Sequence, residues 1–174
     1  MKQMLVMVMM LGMLAGCAKA ELESQPAKKG EAQAENTAWL DNFETAKTKS
    51  KESGLPIFAF FTGSDWCGWC IKLHKEVLDK QAFKSFAEAN FVLFEADFPQ
   101  RKKLSKEVEM QNKILSEKYR VQGFPTVFLL DAAGKTLGQI GYQPGGADAY
   151  VAQLKNLLEV ANVKVKAAKE VPQK

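Results

Sequence analysis

The chain has 174 residues, 47% of them hydrophobic and 25% charged, and 24 basic against 20 acidic side chains give a formal net charge of +4. That length allows one ordinary domain with short appendages, and the apolar content excludes a wholly disordered chain. The positive excess is mild and spread out, which argues against nucleic-acid binding, a function that needs a concentrated basic stripe.

Residues 1–16 read as an export signal, with Lys2 as the single positive charge before an uncharged apolar run from Met4 to Gly16. The run is shorter than the roughly 20 apolar residues that a spanning helix takes. Leu14-Ala15-Gly16-Cys17 stands where a signal peptide ends and resembles the bacterial lipobox. That resemblance implies acylation of Cys17, which becomes the new N-terminus, and an anchor of several acyl chains. Ordinary cleavage near Ala18 or Ala20, releasing a soluble protein, is the alternative. Ala18 rather than aspartate after Cys17 leans, by resemblance to Gram-negative lipoproteins, towards the outer membrane. An oxidising compartment follows, where disulfide chemistry is possible. Lipid on Cys17 also leaves Cys67 and Cys70 as a self-contained pair among the 3 cysteines. Residues 17–36 are poor in large apolar side chains and read as the lipidated cysteine and its tether.

The domain is expected over residues 37–163, with a charged tail from 164 to 174. Trp39, Leu40, Phe43 and Ala46 fall at helical spacing, so a first helix is expected over 38–52 with Thr37 as N-cap and Gly54 as its end. Pro56 to Phe61 is a continuous apolar run, the pattern of a central strand buried on both faces. A loop from Thr62 to Trp66 then delivers Cys67 to a helix over 67–80, followed by a helical piece over 82–89. Residues 91–96 read as a strand and 104–119 as a helix. The cluster Arg101-Lys102-Lys103, with Lys106, reads as a solvated helix face; steering of an acidic partner is the other reading. Strand 126–130, the turn Asp131-Ala132-Ala133-Gly134-Lys135 and strand 136–142 form a hairpin. Tyr150, Leu154, Leu157 and Ala161 line a closing helix. The order αβαβαββα predicts an α/β fold with a central mixed sheet flanked by helices on both faces.

Trp66-Cys67-Gly68-Trp69-Cys70, between a buried strand and a helix, resembles the thioredoxin active site. Tyr119-Arg120-Val121-Gln122-Gly123-Phe124-Pro125-Thr126 resembles that family's cis-proline segment, and the resemblance covers about residues 36–163. It implies the thioredoxin fold, a redox-active Cys67–Cys70 pair and a cis bond before Pro125 beside the sulfurs. Two intervening residues at a helix start let the sulfurs meet without distorting the chain. The helix start also offers Cys67 unsatisfied N–H groups and the positive end of the helix dipole, both favouring thiolate. Cys67 is therefore the expected nucleophile and Cys70 the resolving thiol. Trp66, Gly68, Trp69, Phe124 and Pro125 are expected to shape the groove for a substrate peptide; simple packing is the alternative for Trp69 and Phe124.

Two departures from the family pattern stand out. Trp69 replaces the proline usual before the second cysteine, and Phe58 to Phe61 supply no buried acid to move the proton of Cys70. Glu95, on the neighbouring strand, is the candidate relay, with a solvent-facing residue as the other reading. His74 lies one helical turn after Cys70 and reads as a plain helix-surface histidine; the other reading has Cys67, Cys70 and His74 supply three metal ligands. A fourth is not apparent, and no metal or other cofactor is expected. Ile71 directly after Cys70 excludes covalent c-type haem, which needs histidine there. The sequence thus points to a protein disulfide oxidoreductase of unspecified direction, with protein substrates and a redox partner. A non-catalytic peptide-binding or chaperone module is the alternative.

Overall fold

The computed structural model describes residues 38–163. Four strands form one sheet in the order β2-β1-β3-β4: β1 is Ile57–Thr62, β2 Val92–Asp97, β3 Thr126–Leu130 and β4 Thr136–Gly141. β1 runs parallel to β2 and antiparallel to β3, and β3 and β4 close the expected hairpin. The helices are α1 (Phe43–Ser53), α2 (Gly68–Leu73), α3 (Gln81–Asn90), α4 (Lys106–Lys118) and α5 (Gly146–Val160). All described residues of β1 and β3 are buried, because helices cover both faces of the sheet.

Strand alternation divides the core into two layers. Phe58 and Phe60 face Cys70, Leu73, Phe83, Tyr150 and Leu154 on one side. Ile57, Ala59 and Phe61 meet Phe43, Phe94, Leu115 and Phe128 on the other. The active-site helix therefore lies on the first layer, with α5 beside it.

Arg101-Lys102-Lys103 lies in the loop before α4 and not on a helix face, because the helix starts only at Lys106 behind its Ser105 cap. Two further elements differ from the sequence expectation. The first helix begins at Phe43, with Asn42 as its cap accepting from the Thr45 N–H at 2.9 Å. Trp39 and Leu40 precede it as an extended piece instead. Leu40 bridges β2 by donating to Leu93 O (3.0 Å) and accepting from Glu95 N (2.8 Å). This single bridge covers part of an edge strand, a stronger use of those residues than another helical turn. Thr37, the expected cap, lies outside the described residues. The second difference is a π-turn over His74–Leu78 that continues α2, with Asp79 N bonding back to His74 O at 2.9 Å. Such insertions in an α-helix frequently mark functional sites.

Candidate active site

The turn after β1 sets the position of the first cysteine. Gly63 O accepts from Trp66 N at 3.2 Å and from Cys67 N at 2.8 Å. The Trp66 indole folds back over Gly63 so closely that a Cβ there would lie 2.5 Å from its Cε2. Its Nε1–H donates to Phe98 O at 2.7 Å, tying the turn to the loop after β2.

Cys67 is the N-cap of α2, and its sulfur accepts from Cys70 N at 3.2 Å. Cys67 and Cys70 are joined as a disulfide with Cα atoms 5.2 Å apart. Cys67 is 6% exposed and Cys70 fully buried, so an approaching partner meets the first sulfur and not the second. Gly68 opens α2 at the surface, and a Cβ there would touch nothing.

The peptide bond between Phe124 and Pro125 is cis. Phe124 stacks on Phe98 at 5.1 Å between centroids and meets Trp66 edge-on at 5.9 Å. It is half-buried and packs at the margins of both core layers. On the opposite flank Trp69, 57% exposed, lies over Tyr142 with centroids 5.1 Å apart. Lys72 Nζ sits 5.2 Å from each of these two rings. The Tyr142 hydroxyl donates to Glu76 at 2.7 Å. Tyr142, Lys72 and Glu76 escaped the sequence reading; i and i+4 spacing placed Lys72 and Glu76 on one face, but nothing in the chain announced Tyr142 as their partner.

Glu95 stands opposite Phe60 in the parallel register and so shares the sheet face that carries the cysteines. It is half-buried, not solvent-facing, and burial, aided by the nearby Asp97 charge, pushes its carboxyl above the usual carboxylate range. Asp97 itself is buried and fully engaged, accepting from Ser64 N (2.9 Å), Ser64 Oγ (2.7 Å) and Lys102 Nζ (2.7 Å). His74 is no plain surface residue: its ring packs on Phe60 at 5.4 Å and on Trp39 at 6.3 Å. Burial holds its imidazole below the usual range. Among the described residues no three His, Cys, Asp or Glu side chains are grouped to hold a metal ion. Cys17 lies outside the described residues.

A mixed four-stranded sheet with helices on both faces, a Cys-X-X-Cys disulfide at a helix start and a cis bond before Pro125 define a thioredoxin-fold thiol–disulfide oxidoreductase. The chain belongs to the thioredoxin-like domain family, whose profile matches residues 43–157. It is 41% identical over 127 residues to a protein of Chlamydia pneumoniae named disulfide bond reductase DsbH, covering 73% of this chain and 76% of that one. A solved structure of a DsbH oxidoreductase superposes with a TM-score of 0.68 at 38% identity, covering 78% of this chain and 93% of the other. A thioredoxin from Thermus thermophilus, 19% identical with a TM-score of 0.51 over 66% of this chain and 82% of its own, shares the fold.

Proposed function

We propose that this chain reduces disulfides of cell-envelope proteins through the Cys67–Cys70 pair. The observation that carries the reading is the unequal exposure of the two cysteines at the start of α2. In the dithiol form the Cys67 thiolate attacks one sulfur of the partner's disulfide, making a mixed disulfide and releasing the partner's first thiolate. Cys70, losing its proton, then attacks the Cys67 sulfur. The internal disulfide forms, the partner leaves with both thiols, and two electrons have passed to it. Trp66, Gly68, Trp69, Phe124 and Pro125 border the sulfur that is attacked and hold the partner's chain.

The direction is supported by the relative named a disulfide bond reductase, similar to this chain over most of both lengths. Equilibration of the full chain in glutathione buffers tests it, with Trp66 and Trp69 as fluorescent reporters. A midpoint near about −270 mV is expected. A midpoint between about −180 and −120 mV would make the chain an oxidant or isomerase instead.

The envelope location rests on Lys2, the apolar run Met4 to Gly16, and the lipobox-like residues ending at Cys17. Acylated Cys17 and the tether through residue 36 hold the domain at a membrane surface, the outer membrane being favoured by Ala18. No helix of the described residues is long and apolar enough to cross a membrane. Mass spectrometry of the mature N-terminal peptide reads this directly: a free N-terminus at Lys19 or Glu21 would refute lipidation.

Glu95 is the proton acceptor for Cys70 in this reading. Its raised pKa gives a signed expectation for stability. A carboxyl with its folded pKa above the unfolded value favours the native state below the unfolded pKa and loses that contribution as pH rises through the folded pKa. Relative to wild type, Glu95→Gln is therefore expected to gain stability as pH rises from about 4 towards neutrality, from where the unfolded carboxyl begins to ionise. The exchange rate of the same variant should lose its dependence on the Glu95 titration. An unchanged rate and pH profile would exclude the relay.

A further inference from the structure

The acids near the disulfide are engaged by partners, while two bases of the loop after β2 are not. Asp65, two residues before Cys67, accepts from the backbone N–H groups of Gln100 (2.9 Å), Arg101 (2.7 Å) and Lys102 (3.2 Å). These bonds, the one from Gln100 foremost, hold its carboxyl below the usual range. Asp97 is consumed by Ser64 and Lys102, and Glu76 by the Tyr142 hydroxyl and the Lys72 ammonium, the latter 3.9 Å away. With Trp66 Nε1 bonded to Phe98 O, the loop 98–103 is fastened to the turn that presents Cys67. The side chains of Arg101 and Lys103 project from this fixed loop into solvent, and no carboxylate of the described residues pairs with them. Lys72 lies over Trp69 on the other flank. The disulfide is thus flanked by the exposed rings of Trp66 and Trp69, with the unpaired cations Arg101 and Lys103 on the side of the loop after β2.

We infer that this face is a docking surface for protein segments whose cystine is flanked by acidic residues, with Arg101 and Lys103 as its specificity-determining charges. The inference rests on the oxidoreductase reading and deepens it by naming the class of substrate. Exposed charges of this kind act through their field: they raise encounter rates with an oppositely charged partner and are screened by salt. The inward bonds of Asp65 matter because they fix the backbone from which the cations project, so little ordering remains when a partner arrives.

The test uses the full chain, reduced beforehand, and two synthetic peptides closed by the same intramolecular disulfide, one flanked by glutamates and one by lysines. Second-order rate constants are measured by stopped-flow tryptophan fluorescence. At about 20 mM salt the glutamate peptide should react on the order of tenfold faster, and at about 0.5 M the preference should fall to about twofold. Arg101→Gln/Lys103→Gln should weaken the low-salt preference, and Arg101→Glu/Lys103→Glu should abolish or invert it. The midpoint potential of both variants should match wild type, showing that the dithiol itself is intact. Equal rates for the two peptides at low salt, or a preference untouched by charge reversal, would overturn the docking surface alone. Failure to oxidise the reduced chain with either peptide would overturn the oxidoreductase reading along with it. Equal rates combined with binding of phosphatidylglycerol vesicles that charge reversal removes would reassign the loop to a lipid surface.

Discussion

Replacing Cys67 with alanine is expected to lower the rate of disulfide exchange by on the order of 10³-fold or more, to the background of an isolated thiol. The reason is access as much as chemistry. Cys70 remains in the variant, but it sits on the buried face of α2, fully covered, and cannot reach a partner's disulfide. An ordinary thiol, with a pKa of about 8.5, would also be only a few per cent thiolate at neutral pH. Cys67, by contrast, caps the helix with its sulfur directed at the Cys70 N–H. Cys70→Ser separates the two steps. It leaves the first attack in place and removes the second, so a mixed disulfide between Cys67 and the partner should accumulate and disappear on adding dithiothreitol. Intact-mass spectrometry after mixing with an excess of oxidised partner reads this as an adduct. The double variant should be no slower than Cys67→Ala, because the residues act in series. Retention of more than about a tenth of the wild-type rate by Cys67→Ala would remove Cys67 from the role of nucleophile.

The residues that carry this chemistry were legible in the chain for local reasons. The run from Pro56 to Phe61 announces a strand buried on both faces, and Cys67 follows it at the distance of one tight turn. Gly123-Phe124-Pro125 leads into β3 at Thr126, and the cis bond that the family resemblance implied is present. Local signals served less well where a tertiary partner decided the outcome. Trp39 and Leu40 fit a helical face by spacing, yet the open edge of β2 claimed Leu40 and the rings of Phe58 and Phe60 claimed Trp39. The helix start then passed to Asn42, whose side chain caps it.

His74 shows the same limit from another side. It reads as surface, but its N–H bonds to Cys70 O one ordinary turn back, so it shares the buried face of Cys70 and its ring meets Phe60. Glu95 was legible as a candidate only because the strand alternates; the register with Phe60, which puts it on the cysteine face, needs the sheet itself. The Trp69–Tyr142 contact joins positions far apart in sequence and left no trace at either. The roles of Asp65 and Asp97 likewise need the structure, because it is the loop 98–103 that supplies their partners.

The largest loss of stability is expected from Phe58→Ala. Phe58 is fully buried at the centre of β1, and its ring meets Phe83 at 5.4 Å, Phe91 at 5.6 Å and Trp39 at 5.9 Å. Truncation removes the transfer free energy of a phenyl group and leaves a cavity among rings held by three separate elements, so collapse around it is resisted. The cost is about 3–5 kcal/mol. Set against the roughly 5–15 kcal/mol that stabilises a domain, this is a large fraction of the total. The thermal midpoint should fall by roughly 10–20 °C. Phe58→Leu, which keeps most of the volume, should cost less than Phe58→Ala, and exposed Met110→Ala should stay within about 0.5 kcal/mol of wild type. Urea unfolding monitored by circular dichroism distinguishes these cases. A loss below about 1 kcal/mol for Phe58→Ala would contradict a strand packed on both faces. The consequence for function follows from the shared layer. Phe58 lies two residues from Phe60, which supports His74, and both belong to the cluster that buries Cys70. Loosening that layer exposes the second sulfur, so Phe58→Ala should also erase part of the difference in reactivity between Cys67 and Cys70 on which ordered exchange depends.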